Sequence, residues 1–537
     1  PPAEAAEHLT LGVRHGDRHA LACLDAAVAG ILPVSPPAAA GLAVRALDLT
    51  GPADPHRPAR ALAAVEAAAE AGHLGEATRL AETAIATPLP PDARAALHAA
   101  YSHVLYLRGR ADEALHHAEA ALRDPLPDDR AGAAAPALPG ADAMPGGPVL
   151  ALARGSAGGA RGRAPAVPPG GPRDRASAGR PDELRDRATR ALLDAAAARG
   201  DHALVRKHAE AVLAAEHQHD ETLAVTALGT LAVAEWDRGR LADGLALARA
   251  AARHAGAARR VHPGLTLAEL LADIGHHDEA RAVLDQTRQE IESLGHVPWR
   301  AAVTILRARL DLAAGRPGQA AEAARAVLGD DTATPALFAQ AALAVLVAAE
   351  LRRGDLRAAA AYGVPPSASA GTPDPAAHPA THAAQRLRLL ATRLAEATDG
   401  PDRALALIGD IVAEPDEHPW LLFGEPGAAA WLVRTALAAG DRARAERLVA
   451  AAEHLALGNP GFPAVRSAAA HARGLLDADP DALCHAEDAA PDPWARASAA
   501  EDLGAACAES GDRRSATARS EERRVGKECR SRWSPYH

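Results

Sequence analysis

A turn built around one glycine recurs along this chain, and its spacing constrains the fold more than any other feature. In nine of the ten copies the glycine is followed by a polar residue, and in the copy at Gly400 by a proline; an alanine-rich amphipathic run comes next. The copies lie at Gly72, Gly109, Gly200, Gly239, Gly275, Gly315, Gly354, Gly400, Gly440 and Gly511. From Gly200 onwards the intervals are 39, 36, 40, 39, 46, 40 and 71 residues, and the last is that of two units joined by a weaker turn near Asp479.

A repeat of this length fits a pair of helices. Two helices of about 14 to 16 residues with two short turns fill one unit, although the strict tetratricopeptide period is shorter, at about 34 residues. The glycine can adopt the left-handed conformation that ends the first helix, and the small residues after it let the second helix pack closely. Because no single pair can bury its apolar side alone, the repeats are expected to stack into a solenoid.

Composition and helix periodicity favour the same fold. Alanine, the best helix former, supplies 145 of the 537 residues, whereas aromatic residues make up only 2%. A β-sandwich or barrel needs far more β-branched and aromatic side chains. Between Leu223 and Trp236 the apolar residues largely recur every three or four positions. The predicted fold class is all-α, a right-handed superhelical α-solenoid of tetratricopeptide-like helix–turn–helix repeats.

The repeat pattern divides the chain into four segments. N-terminal helical repeats are predicted over 1–130 and a tetratricopeptide-like repeat array over 183–518. Residues 131–182 are mostly Gly, Pro, Ala and Arg and cannot sustain a helix or a strand, so they are either a flexible linker or a GC-rich stretch read out of frame. The basic tail over 519–537 resembles a vector-derived read-through sequence, so the native chain is expected to end near Ala518.

Charge and cysteine content exclude several classes of protein. Lys and Arg total 58 against 69 Asp and Glu, a net charge of −11 that repels DNA and anionic membranes. Cys23, Cys484, Cys507 and Cys529 are scattered, which is typical of a reducing compartment without disulfides, and Cys507 is expected to be a buried structural thiol. Neither a long apolar run nor a signal peptide is present, so a cytoplasmic protein is predicted. Because the chain does not begin with Met, it is expected to be a fragment.

Motifs for catalysis and cofactor binding do not occur in the sequence. The only Gly-Lys pair, Gly526-Lys527, lacks the preceding glycine and the following hydroxyl residue of a phosphate-binding loop. A nucleophile elbow, a zinc-protease helix and a Cys-His signature are also missing. The sequence therefore predicts that the chain is not an enzyme, with no catalytic residue and no cofactor.

Histidines form two groups that deserve comparison with metal sites, one with His217 and His219 and one with His276 and His277. His217 and His219 are two positions apart, so a helix would splay them, whereas a separation of four would bring them together. Both groups also lie at predicted turns, where polar side chains are solvated. No metal site is therefore predicted.

The tryptophans and the basic C-terminal stretch each allow two interpretations. Tryptophans lie mostly in predicted amphipathic helices, at Trp236, Trp299, Trp420, Trp431 and Trp494. Core packing is the expected role, and the alternative is a lining for the concave groove in which solenoids hold peptides or small ligands. The run from Arg513 to Arg532 could mimic a nucleic-acid patch, although the suspected tail makes an accidental basic character the preferred explanation.

Several sequence strings, taken in their order, resemble a known family. The strings are Leu294–Arg300, Ile305–Leu310, Glu425–Arg434, Asn459–Pro463 and Asp492–Asp502. Together they resemble the helical-repeat region of large LuxR-type transcriptional regulators of actinobacteria, over about residues 1–120 and 183–518. In such regulators an ATP-binding module, similar to signal-transduction ATPases, precedes the repeats and a LuxR-type helix-turn-helix follows them.

The resemblance implies a regulatory role for this chain. It would be the sensing region, binding a protein or small-molecule effector in the solenoid groove and controlling oligomerisation. DNA would be bound only through a C-terminal domain that this chain lacks, and no ATP- or DNA-binding residue of the family maps onto it. The alternative is a stand-alone tetratricopeptide-like adaptor that binds peptides in its concave groove. No membrane partner is expected, and self-association stays open.

Overall fold

The computed structural model describes residues 15–123, 181–215, 219–254, 261–329, 335–363, 381–509 and 511. Within these ranges all regular secondary structure is helical, which confirms the predicted all-α class. The tail over 519–537, His217 and nearly all of the segment 131–182 lie outside the described residues.

The described helices fall on either side of that segment. Before it lie α1 (Arg18–Ile31), α2 (Pro36–Leu49), α3 (Arg57–Glu70), α4 (Leu74–Ile85), α5 (Pro91–Leu107) and α6 (Ala111–Arg123). After it lie α7 (Pro181–Arg199), α8 (His202–Ala214), α9 (Glu221–Asp237), α10 (Leu241–Arg253), α11 (Pro263–Asp273), α12 (His277–Leu294), α13 (Arg300–Ala313), α14 (Pro317–Leu328), α15 (Ala339–Arg353), α16 (Leu356–Gly363), α17 (His382–Asp399), α18 (Pro401–Ala413), α19 (Ala428–Ala438), α20 (Arg442–Gly458), α21 (Pro463–Asp477), α22 (Pro480–Ala489) and α23 (Pro493–Glu509). Short 3₁₀ turns occupy Val297–Trp299, Ala336–Phe338, Pro415–Glu417 and Pro419–Leu422.

The glycine turns join the helices into pairs, as predicted. All ten glycines of the repeat have a positive φ, which an alanine would adopt only under strain. At three of these turns an aspartate follows the glycine and caps the second helix. Asp201 and Asp441 each accept a hydrogen bond from a backbone N–H three residues later, at 3.0 Å. The weaker turn is present as well, since Ala478, just before Asp479, takes φ 52° between α21 and α22.

Pairs stack in chain order and form the predicted solenoid. Each helix packs against the next one along the chain, and the helices on the two sides of the segment 131–182 follow this rule, because α6 packs against α7. Alanine and leucine fill the interfaces. The largest apolar cluster draws on helices between α7 and α21, and a separate cluster fills the repeats from α13 to α17. Each repeat therefore buries its apolar side against its neighbours along the chain.

Repeats about one superhelical turn apart also touch. The Asn459 side chain accepts a hydrogen bond from the N–H of Leu241 at 3.1 Å and donates one to the carbonyl oxygen of Gly239 at 2.7 Å, across 218 and 220 residues. A side chain on Gly275 would meet Pro491 at 2.7 Å, so the glycine is needed for this close approach. The coil therefore closes on itself, and its inner helices surround a lumen.

Candidate functional site

The lumen is lined almost entirely by the first helix of each pair. Its larger part, here named the lower compartment, encloses about 390 Å³ and is bounded by α3, α5, α7, α9, α11, α13, α15 and the start of α17. Alanines leave the space open, and Gly229 in the middle of α9 has no atom within 4 Å of the position that a side chain would take. This volume lies in the range of pockets for small organic ligands.

A smaller space, the upper compartment, lies further along the lumen and encloses about 80 Å³. Its walls come from α11, the start of α12, α13, α15, α17, α19, α21, the start of α23 and the connection between α18 and α19. Arg309 and Arg386 line both compartments and therefore stand between them. The lumen is thus divided rather than continuous.

The connection from Pro415 to Gly427, here named the crossing segment, packs against these two arginines. Its Trp420 is only 1% exposed, and the indole stacks on the His382 ring with centroids 4.9 Å apart. The guanidinium of Arg386, a residue of α17, lies 4.8 Å from the indole centroid of Trp420 and makes a cation–π contact with it. A side chain on Gly424 would fall 2.1 Å from the same indole, which explains the glycine there.

Arg309, Arg386, Trp420 and Asp273 form a partition between the two compartments. Asp273, at the end of α11, lies at the centre of its hydrogen bonds. Its carboxylate is fully buried and accepts hydrogen bonds from Arg309 at 2.5 Å, Arg386 at 2.9 Å and the indole Nε1 of Trp420 at 3.0 Å. Burial alone would raise the pKa of Asp273, but the attraction of Arg309 and Arg386 outweighs burial and lowers it. Arg386 completes its own bonding with the Gly424 carbonyl oxygen at 2.8 Å, so each charge in the cluster has partners.

His382, at the start of α17, contributes a further positive charge to the lining of the lower compartment. It lies between the Trp420 ring and the Asp237 carboxylate, to which it is hydrogen-bonded. Burial would lower the pKa of His382, but the ion pair with Asp237 outweighs burial and raises it to about 9. The imidazole is therefore a cation at neutral pH.

The raised pKa of His382 predicts a pH-dependent stability. Because the folded state binds the proton more tightly than the unfolded state, this contribution is complete below pH 6.5 and is lost as pH rises through about 9. We expect the free energy of unfolding to fall by on the order of 3 kcal/mol over this interval. Urea unfolding of the wild type and His382→Gln at pH 6, 7.5 and 9 measures the effect. An equal fall in both proteins would contradict it.

One wall of the lower compartment is aromatic. Trp299 contacts Phe338 edge-on with centroids 5.8 Å apart and contacts His262 at 5.7 Å, while His262 Nε2 and His296 Nδ1 share a hydrogen bond of 2.9 Å. Burial, and then the neighbouring His296, lower the pKa of His262 to about 3, so the ring is neutral. This wall offers ring faces rather than charge.

The tryptophans divide between the two interpretations drawn from the sequence. Trp236, Trp420 and Trp431 are buried in the core. Trp299 lines the lower compartment instead, and Trp494 lies beneath the Arg352 guanidinium, 4.8 Å from the ring centroid. Trp420 and Trp299 belong to 3₁₀ turns between helices, not to the amphipathic helices in which the sequence placed most tryptophans.

The histidine groups flagged in the sequence pair with carboxylates. His219 Nδ1 lies 2.7 Å from Asp186, and His276 Nδ1 lies 3.7 Å from Glu279. In the described ranges no three His, Cys, Asp or Glu side chains are grouped so that they could hold a metal ion. Cys507 packs against Leu483 and Leu503. The described helices also include none with the length and apolar character that crossing a bilayer requires.

Comparisons with known proteins place the chain by its fold. No protein-family model and no curated relative matches the sequence. Among solved structures, a chain of the APC/C hetero-tetramer Cut9–Hcn1 matches with 12% identity and a TM-score of 0.50, over 95% of this chain and 92% of that one. Yeast Tom70 matches with 12% identity and a TM-score of 0.28, over 88% of this chain and 93% of that one. The structure of Naa15/Naa10 bound to HypK matches with 15% identity and a TM-score of 0.21, over 90% of this chain and 66% of that one. This chain has a tetratricopeptide-like helical-repeat fold, and at such low identity the likeness shows the fold alone.

Proposed function

We propose that this chain is a non-catalytic, cytoplasmic binding module, an adaptor of the tetratricopeptide-like type whose ligand occupies the lumen. The observation that carries the proposal is the lower compartment, a cavity of about 390 Å³ between the inner helices. The side chains that line it are mostly small or aromatic. The charged side chains at the end of this compartment that borders the partition form ion pairs with one another, as in the Asp273 cluster. They are therefore suited to stabilising the packing of the helices and not to acid–base chemistry.

The likeness in fold supports an interaction role. The matching structure with a TM-score of 0.50 is an assembly of Cut9 with Hcn1, and concave solenoid surfaces are the usual binding faces of such proteins. A solenoid that closes on itself restricts entry to what fits inside the coil. A chain terminus or a small molecule meets that condition, whereas a folded domain does not.

A lumen-filling substitution tests this proposal. Gly229→Phe should place a ring in the lower compartment without a clash at the Cβ position. Gly318→Phe on the exposed side of α14 is the matched control, since it also has open space at the Cβ position but lies outside the lumen. Ligands that co-purify with the wild type, identified by native mass spectrometry, should be lost in Gly229→Phe and kept in Gly318→Phe. Retention in both variants would exclude the lumen as the binding site.

A second candidate is the sensing region of a LuxR-type regulator, controlling oligomerisation after binding an effector. It is favoured by the limited volume of the lower compartment, about 390 Å³, which suits a small effector better than an extended peptide. DNA would then be bound by a C-terminal domain outside this chain. Sequencing the source locus decides between the two. A phosphate-binding-loop module upstream and an in-frame helix-turn-helix downstream support the regulator, whereas a nearby start codon and a stop after His537 support the adaptor.

The domain boundaries form part of the same proposal. We infer repeat blocks over 1–130 and 183–518. The segment 131–182 is then an insertion between successive repeats, and 519–537 is a tail that does not belong to the repeats. The packing of α6 against α7 supports the insertion, because helices on its two sides stack as neighbours do elsewhere. Sequencing through codons 131–182 also distinguishes a linker from a frame error.

A further inference from the structure

Asp194 on α7 differs from the other carboxylates of the lower compartment. Glu66 is paired with Arg187 at 2.8 Å, and the Asp237 carboxylate is bound to His382. Among the described residues, by contrast, no hydrogen bond or ion pair to the Asp194 carboxyl is made, although it lines the lumen and is only partly exposed. Arg190, one helical turn earlier, attracts it only at longer range.

Burial disfavours the ionised form of the Asp194 carboxyl group. Burial raises the pKa of Asp194 to about 6, and the attraction of Arg190 offsets only part of that increase. At pH 7.5 the group is mostly ionised, and a negative charge then faces the compartment without a donor. A positively charged group in the compartment would complete its bonding.

Aromatic rings flank this carboxyl group. Burial and the nearby Asp194 charge raise the pKa of Tyr106 on α5 above its usual range, so the phenol stays neutral. The His103 ring lies 6.1 Å from that of Tyr106, with the two planes 28° apart, and both residues line the compartment. A carboxylate beside aromatic rings is a suitable environment for an ammonium group, which is attracted by both.

The same compartment also offers a place for an apolar body. The Trp299 and Phe338 rings form one wall, with Ile305 and Leu306 beside them. Gly229 leaves the space between the walls open. A flat ring fits this wall by edge or face contact.

We propose that the lower compartment recognises an ammonium group carried on an aromatic body, with the ammonium paired to Asp194 and the ring packed on the wall of Trp299 and Phe338. This inference rests on the lumen being the binding site of the proposed function. Two sources share the chemistry, a free arylalkylamine and the amino terminus of a partner chain whose first residue is aromatic.

Three indole compounds of nearly equal size test the charge requirement by calorimetry at pH 7.5. Tryptamine carries the ammonium, tryptophol replaces it with a neutral hydroxyl, and indole-3-acetate replaces it with an anion. We expect tryptamine to bind at least about tenfold more tightly than tryptophol, since hydrogen bonds to charged groups are the stronger ones, and indole-3-acetate not to bind.

Substitution of the carboxyl group assigns the effect to Asp194. Asp194→Asn keeps the shape and should remove the preference for tryptamine over tryptophol. Asp402→Asn is the matched control, because Asp402 lies exposed on α18 outside the lumen, and it should keep the preference. Circular dichroism verifies the fold of both variants.

A peptide pair separates the two sources of the amine. Trp-Gly-Gly with a free amino terminus is compared with its acetylated form. Tighter binding of the free peptide than of tryptamine supports a partner's amino terminus, and binding of tryptamine alone supports a free amine. Equal affinity for tryptamine and tryptophol, retention of the preference in Asp194→Asn, or absence of binding to all probes would overturn the proposal. Loss of native ligands in Gly229→Phe would still uphold the lumen as the binding site in that case.

Discussion

Asp273→Ala is expected to lower the free energy of unfolding by about 3–5 kcal/mol. The carboxylate is fully buried and is the common acceptor for two guanidinium groups and one indole N–H. Its removal leaves the buried charges of Arg309 and Arg386 facing each other without this anion, and Glu269 and Glu425 compensate them only in part. The uncompensated charge, not the lost attraction alone, makes the cost large.

A matched aspartate provides the control for this experiment. Asp285 on α12 forms surface ion pairs with Arg288 at 4.0 Å and Arg307 at 3.8 Å, and its side chain is 47% exposed. Asp285→Ala should cost less than about 1 kcal/mol. Urea unfolding followed by tryptophan fluorescence and by circular dichroism measures both variants. Similar losses in the two would mean that the Asp273 cluster does not stabilise the partition.

The repeat architecture could be predicted because its signals are local. Each glycine lies next to the helix that it ends, and at three turns the aspartate after it caps the next helix through a backbone N–H three residues away. Even the turn without a glycine was indicated, since the spacing left room for one near Asp479 and Ala478 takes the left-handed conformation there. Such features depend on a few neighbouring residues, which a sequence displays directly.

The partition of the lumen could not be predicted because its residues meet only after the coil closes. Asp273 lies 113 residues from Arg386 and 147 from Trp420, and each of them fits an ordinary helical or turn pattern on its own. Asp194 likewise reads as a solvent-facing residue of an alanine-rich helix, because the sequence does not reveal which helix side faces the lumen. Closure joins Asn459 to Gly239, and no periodicity of the repeat encodes that contact.

Trp420→Ala is expected to cost about 3–5 kcal/mol, because it removes the largest side chain of the crossing segment from a site that is 1% exposed. The change also removes the stacking partner of His382 and one donor to Asp273. Trp420→Phe keeps most of the volume but loses the N–H donor, so a smaller cost of about 1–3 kcal/mol is expected.

Trp494→Ala is the matched tryptophan control for this substitution. Trp494 is partly exposed and contacts Arg352 rather than the partition, so its loss should cost less than half as much as that of Trp420. Urea unfolding compares the variants. Because Trp420 and Asp273 share a hydrogen bond, the double variant Asp273→Ala/Trp420→Ala should lose less than the sum of the two single losses. Additive losses would show that the indole and the carboxylate stabilise the lumen independently, contrary to a single partition built from both.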